Sequence, residues 1–174
     1  QGPCSRLGAR AESSLVALCK KHDVYLLCYG SVAGGFLSDQ WLGKPEPTPP
    51  FENRSLTKYK LIIDDFGGWT LFQTLLATLR RIADAHRSDI ATVASRATLE
   101  RPQVGAVIVG ARNRHHLAAN RAIFDLRLTP QDHAAIAAVL ACGQGPDGDT
   151  FTLERDQHGR HGSIMKYNLN REAS

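Results

Sequence analysis

Aromatic residues are scarce, 7% of a 174-residue chain. A nucleic-acid surface calls for a basic stripe with interleaved aromatics. That class is therefore set aside, although the net charge is +4. The basic excess is scattered along amphipathic stretches, as at Arg80, Arg81 and Arg87, the pattern of a solvated helix face. No apolar run approaches the ~20 residues that cross a bilayer, so no membrane role is expected. No basic segment followed by an apolar run opens the chain, and no signal peptide is expected. The chain starts at Gln1 without an initiator Met and reads as the middle of something longer. No two of the cysteines (Cys4, Cys19, Cys28, Cys142) form a C-x-x-C pair, which leaves a zinc knuckle and a thioredoxin motif unsupported. Cys19 and Cys28 lie in apolar segments and are expected as buried free thiols, consistent with a reducing compartment, the cytosol.

What is present is an ordinary globular composition, 43% hydrophobic and 22% charged, which excludes disorder as the default and is enough for one domain with a real core. The chain is organised around Leu26-Leu27-Cys28-Tyr29-Gly30-Ser31-Val32-Ala33-Gly34-Gly35-Phe36-Leu37. A short apolar run ends in an aromatic, a glycine and a small hydroxyl, and a glycine-broken loop follows. In an α/β protein a nucleotide lies at the end of such a buried strand, and the modest positive balance suits an anionic cofactor such as a dinucleotide.

Residues 1–7 are ambiguous between strand and loop. Residues 11–22 read as a helix with Leu15, Val16, Leu18 and Cys19 on its apolar face. Residues 24–28 and 106–109 are continuous apolar runs, the mark of strands buried on both faces. Between them, residues 38–60 are expected as a long connection, with Pro45, Pro47, Pro49 and Pro50 forbidding regular structure in its middle. Asn53-Arg54-Ser55 matches a glycosylation acceptor and is taken as chance. Helices are expected over 70–86, then from a Ser88 cap with Asp89 in the first turn to Pro102. Two more are expected over 117–124 and from Thr129-Pro130 to Cys142, the last with Gly143 as a left-handed stop. Residues 150–155 and 163–168 read as a hairpin. The order of helices and strands predicts a parallel α/β arrangement in one domain with a C-terminal tail from Gly143. Two clear strands are too few for a stable sheet. A third must come from the first segment or from residues not present.

Three further motifs carry little. Gly143-Gln144-Gly145-Pro146-Asp147-Gly148 fits G-x-G-x-x-G, but it follows a helix and precedes expected strands, the reverse of a dinucleotide turn. Asp65-Phe66-Gly67 spells a kinase triplet without the partners it needs. His115-His116 and His158-x-x-His161 lack a third ligand at suitable spacing, so surface histidines are expected and no metal.

The chain resembles the C-terminal half of an aldo-keto reductase. Tyr29-Gly30-Ser31-Val32-Ala33-Gly34-Gly35-Phe36-Leu37 is similar to that family's strand-seven loop. Gln103-Val104-Gly105-Ala106-Val107-Ile108-Val109-Gly110-Ala111-Arg112, with Leu117 and Asn120 after it, resembles the strand-eight and phosphate-binding signature. The resemblance implies the C-terminal part of a (β/α)8 TIM barrel, NADP as cofactor and a small carbonyl substrate once the barrel is complete. Carried over by position, Tyr29 stacks on the nicotinamide. Ser31 and the backbone through Ala33, Gly34 and Leu37 approach the pyrophosphate. Gly110, Ala111 and Arg112 meet the 2′-phosphate, His116 stands where related members often have Gln, and Asn120 bonds the adenine. Gln1 matches the Gln that holds the carboxamide, though Cys4 and Arg6 depart from the strand around it. The family's catalytic Asp, Tyr, Lys and His find no match, and adjacent Lys166 and Tyr167 on an expected strand would face opposite sides. No catalytic residue is therefore assigned. Two functions are expected in competition: the cofactor-binding half of a reductase, inactive alone, or a non-enzymatic truncated or decayed chain that acts, if at all, as an interaction module, its exposed apolar strand edges self-associating or seeking a partner.

Overall fold

A computed structural model describes residues 2–3, 12–111, 114–145 and 150–165. In order these form β1 (Gly2–Pro3), α1 (Glu12–Lys21), β2 (Leu26–Tyr29), α2 (Arg54–Phe66), α3 (Gly68–Ala85) and α4 (Ile90–Leu99). They continue as β3 (Val104–Ile108), α5 (His115–Asp125), α6 (Pro130–Ala141) and α7 (Thr150–Arg155). The three strands make one parallel sheet in the order β1-β2-β3. Gly2 pairs with Cys28 and Pro3 with Tyr29, so the first segment does supply a third strand. Leu27 pairs with Ala106 and Tyr29 with Ile108. The fold is α/β, as the sequence predicts. No helix among the described residues is long and apolar enough to cross a membrane.

Two clusters of apolar side chains hold it. The larger gathers Phe36 and Leu37 with Tyr59, Ile63 and Phe66 of α2, Phe72 and Leu76 of α3, Val93 of α4 and Ile136 of α6. The smaller backs the sheet, with Cys19, Leu26 and Cys28 against Val16, Val104 and Val107. Most of the buried apolar area, the main stabilising term in folding, thus lies among helices α2 to α6. The sheet leans on that mass through α4.

Several expectations are corrected. The segment 38–60 is not connection throughout, because α2 starts at Arg54. Asn53 is its N-cap, its side-chain oxygen accepting from the Leu56 N–H at 3.0 Å. The apparent glycosylation triplet is therefore a helix start. Asp89, not Ser88, caps α4, accepting from the Thr92 N–H at 2.8 Å. Gly143 is absent from the positive-φ residues. A Cβ there would lie 2.3 Å from a Phe66 ring carbon, so glycine is needed for close approach to α2 and not for a left-handed turn.

Residues 150–155 form α7 and not the first strand of a hairpin. Thr150 and Thr152 favour a strand, but Leu153, Glu154 and Arg155 favour a helix, and the ion pair of Glu154 with Lys58 (2.5 Å) gives the helix a tertiary partner that decides between them. Residues 163–165 lie in turns, and the rest of the expected second strand lies outside the described residues. Cys19 is a buried free thiol, but Cys28 is disulfide-bonded, which withdraws the thiol argument for a reducing compartment.

Candidate functional site

β2 ends at Tyr29 and the chain turns at once. Gly30 has φ +74° and Gly34 φ +66°, values that side chains with a Cβ rarely adopt. Between them Ser31 is buried, its hydroxyl 3.1 Å from that of Ser95 on α4. This bond ties the loop to α4. β3 ends beside it, and Ile108, Val109 and Gly110 face the same opening. α5 follows, and the Asn120 amide donates to the Gly110 carbonyl at 3.2 Å, which ties α5 to the end of β3. The two strand ends, α5, the segment 38–53 and the start of α2 line a cleft of about 1370 Å³.

The cleft brings together Tyr29, Ser31, Gly34 and Leu37 from the first block with Gly110, His116 and Asn120 from the second. Tyr29 is half-buried, so part of its ring is available. Ala33 and Leu37 are both fully buried and belong to the main core, and Ala33 does not line the cleft. Of the two, Leu37 alone reaches the cleft, and with its side chain fully buried it offers backbone. Ala111 is exposed and does not line the cleft either. Arg112 and Gln1 lie outside the described residues. Of the histidines, His161 is not a surface residue, since its ring nitrogen meets Asp65 at 2.5 Å with 12% of the side chain exposed. Among the described residues no group of three or more His, Cys, Asp or Glu could hold a metal ion.

Sequence reasoning missed the support beneath the loop. The Tyr59 ring of α2 lies against both glycines. A Cβ on Gly30 would fall 1.9 Å from the Tyr59 hydroxyl, and one on Gly34 would fall 2.7 Å from a ring carbon. Lys58 Nζ lies 5.9 Å from the centre of the Tyr29 ring and 5.8 Å from that of Tyr59, and α7 supplies its partner, Glu154. Burial, and then the Glu154 carboxylate, push the Tyr29 phenol up. Burial, the Tyr29 phenol and Glu154 push Tyr59 up to about 12. Both phenols stay protonated at neutral pH but are weaker acids than free tyrosine, the opposite of what a general acid requires. The sequence did hold a signal for α2: Leu56, Tyr59, Ile63 and Phe66 after an Asn have the spacing of one apolar helix face.

Parts of the wall are open backbone. Gly35 and Gly110 line the cleft and an added Cβ at either would meet nothing within 4 Å, so backbone faces open space where a ligand can approach. The carboxylates on the wall are already engaged. Asp39 pairs with Arg80 and accepts the Ile90 N–H at 3.1 Å. Asp89 takes the Thr92 N–H and hydroxyl at 2.8 Å each, and Glu46 pairs with Lys60 at 2.7 Å. The ammonium-bearing side chain of Lys44 also lines the opening.

The family model described as Aldo/keto reductase family matches residues 1–141. The chain belongs to the aldo/keto reductase family. Among curated proteins, this aldo/keto reductase chain is 34% identical over 90 residues to flagellar radial spoke protein 5 of Chlamydomonas reinhardtii, a match covering 50% of this chain and 17% of that one. It is 27% identical over 125 residues to prostaglandin F synthases 1 and 2 of Bos taurus, covering 72% of this chain and 30% of each synthase. The aldo/keto reductase chain thus spans less than a third of the length of these relatives.

Proposed function

We propose that this chain is the cofactor-binding side of an NADP-dependent oxidoreductase that interconverts carbonyls and alcohols. The sheet would be the C-terminal part of a (β/α)8 barrel, with the cleft at the carboxyl ends of its strands. The observation that carries this is the convergence of Tyr29, Ser31 and Gly34 with Gly110, His116 and Asn120 on one cleft. In this reading Tyr29 is a platform for the nicotinamide, and the backbone at Gly34 and Gly35 admits the pyrophosphate. Gly110, Ala111 and Arg112 receive the 2′-phosphate, and Asn120, already oriented by Gly110, reads the adenine. His116 stands beside it on the same helix. The bound nicotinamide would supply the hydride. What the chain itself contributes is binding and orientation, since neither cleft phenol is tuned to give a proton. The isolated chain is therefore expected to bind NADPH and to turn over carbonyls at no useful rate.

Titration of the chain with NADPH, read by intrinsic fluorescence, tests this. Saturable binding is expected, weakened about tenfold or more in Arg112→Glu, because a charge-assisted pair to phosphate becomes a repulsion. No saturation, or equal affinity in both proteins, overturns the cofactor reading. Robust carbonyl-dependent oxidation of NADPH would overturn the claim of inactivity.

A second reading is favoured by one feature. Leu27 and Ile108, on the sheet face that also carries Tyr29, are 42% and 43% exposed. Parallel sheets are normally covered on both faces. We infer that this face is covered in use, in a non-enzymatic chain by self-association.

A further inference from the structure

Between the glycine loop and the C-terminal segment stands a small cluster that neither the family resemblance nor the cofactor assignment uses. Lys58 sits on the first turns of α2. Its ammonium lies within 6 Å of the centres of both the Tyr29 and Tyr59 rings, a distance at which a cation is attracted to a ring face. A long, flexible lysine does not stay there unaided. It is held by Glu154, 2.5 Å away, with only 17% and 18% of the two side chains exposed. Glu154 is itself placed by a second set of contacts farther along. Arg160 reaches Asp64 and Asp65, each at 3.0 Å, and His161 reaches Asp65 at 2.5 Å. The segment after α6 is therefore fastened to both ends of α2, and Glu154 is its contact nearest the cleft.

We propose that the Lys58–Glu154 pair is a positioning device that fixes the orientation of the Tyr29 ring on the cleft wall. Tyr29 is the last residue of β2, and the chain leaves it through Gly30 in a left-handed conformation, so the strand restrains the ring little beyond its own backbone. The Tyr59 ring occupies the place where a side chain at Gly30 would be. Lys58 lies 5.9 Å from the Tyr29 ring centre and 5.8 Å from that of Tyr59, and in this proposal it stays there only while Glu154 anchors it. The C-terminal segment thereby becomes part of the cleft without lining it. The consequence for nucleotide affinity rests on the cofactor reading above; the ring's orientation does not.

The two are separated by reading the ring directly. In the full chain carrying labelled tyrosine, Tyr29→Phe and Tyr59→Phe assign the ring resonances, and Glu154→Gln and Lys58→Met are then compared with wild type without nucleotide. Both substitutions are expected to move the Tyr29 ring signals while the melting temperature falls little. The charge-swapped pair Lys58→Glu with Glu154→Lys restores the ion pair but moves the cation off the ring, and is expected to leave Tyr29 displaced. Unmoved ring signals in Glu154→Gln overturn the proposal. In NADPH titrations, Glu154→Gln is expected to weaken binding about three- to fivefold, the scale of one partly exposed ion pair, and to have no effect in a Tyr29→Leu background. An equal loss in that background would mean that the pair acts on the fold and not on the ring, and would also overturn the proposal. A wild-type chain that fails to bind NADPH while its Tyr29 signals respond to Glu154→Gln refutes the cofactor reading and supports the positioning role.

Discussion

Gly30 carries more constraint than any other residue of the site. Its φ of +74° and the 1.9 Å that would separate an added Cβ from the Tyr59 hydroxyl are two separate objections to a side chain. Gly30→Ala is expected to cost about 2 kcal/mol or more, from strain and overpacking together. Tyr59→Phe should recover part of that, since it removes the hydroxyl but leaves a ring carbon 3.0 Å from the same point; urea unfolding of the single and double variants reads the difference. Tyr59 also sets an alkaline limit. Its folded pKa of about 12 lies above the ordinary phenol value of 10.0, so its contribution is complete below pH 10 and is lost as pH rises from about 10 towards 12. Tyr59→Phe is expected to flatten the fall in unfolding midpoint across that window. The sequence marks a break at Gly30, because an apolar run ends there in a tyrosine followed by glycine. It does not show why a side chain is excluded there, because the obstacle comes from a helix well downstream in the chain.

At the scale of elements, legibility follows local chemistry. α6 is readable because its start is written in adjacent residues: the Thr129 hydroxyl accepts from the Asp132 N–H at 3.1 Å and Asp132 accepts from the Thr129 N–H at 2.9 Å, with Pro130 at the first position. α2 is hidden by the prolines before it, which draw the whole of 38–60 into one irregular segment. α7 misleads because its 6 residues hold too little pattern and its partner, Lys58, is remote. The α6 cap also gives a pH signature. Burial raises the Asp132 carboxyl, but the Thr129 N–H, His86 and the Thr129 hydroxyl outweigh it and hold it below its ordinary value. A lowered carboxylate stabilises above its unfolded pKa of about 4, and that stability disappears as pH falls through the folded value. Thr129→Ala is expected to cost about 1 kcal/mol at pH 7 and less at an acid pH below the lowered value of Asp132, where the carboxylate that accepts the Thr129 hydroxyl is lost. Unfolding curves at the two pH values check this; an equal difference at both would detach the cap from the titration.

At the scale of the molecule the imbalance is between a well-filled helical core and a sheet covered on one side. α2, α3, α4 and α6 bury Ile63, Phe72, Leu76, Val93 and Ile136 almost completely. β2 buries Leu26 and Cys28 towards α1 but leaves Leu27 42% exposed. The alternation follows from strand geometry, in which neighbouring side chains point to opposite faces. The sequence displays it only as an apolar run, which suits burial on both faces, and nothing in the run marks which face lacks a cover. An exposed apolar strip on a parallel sheet favours association at raised concentration. Leu27 is the residue on which to test it, because it sits in the middle of that face and does not line the cleft. Sedimentation equilibrium of the wild-type chain is expected to show an average mass that rises with concentration, and Leu27→Lys is expected to hold it at the monomer value by placing a solvated charge in the strip. NADPH affinity should be unchanged by that substitution, since the cleft is formed beyond Leu27 at the strand ends. A wild-type chain that stays monomeric across the range would remove self-association as the cover for this face, and would leave the non-enzymatic reading without the feature that favours it.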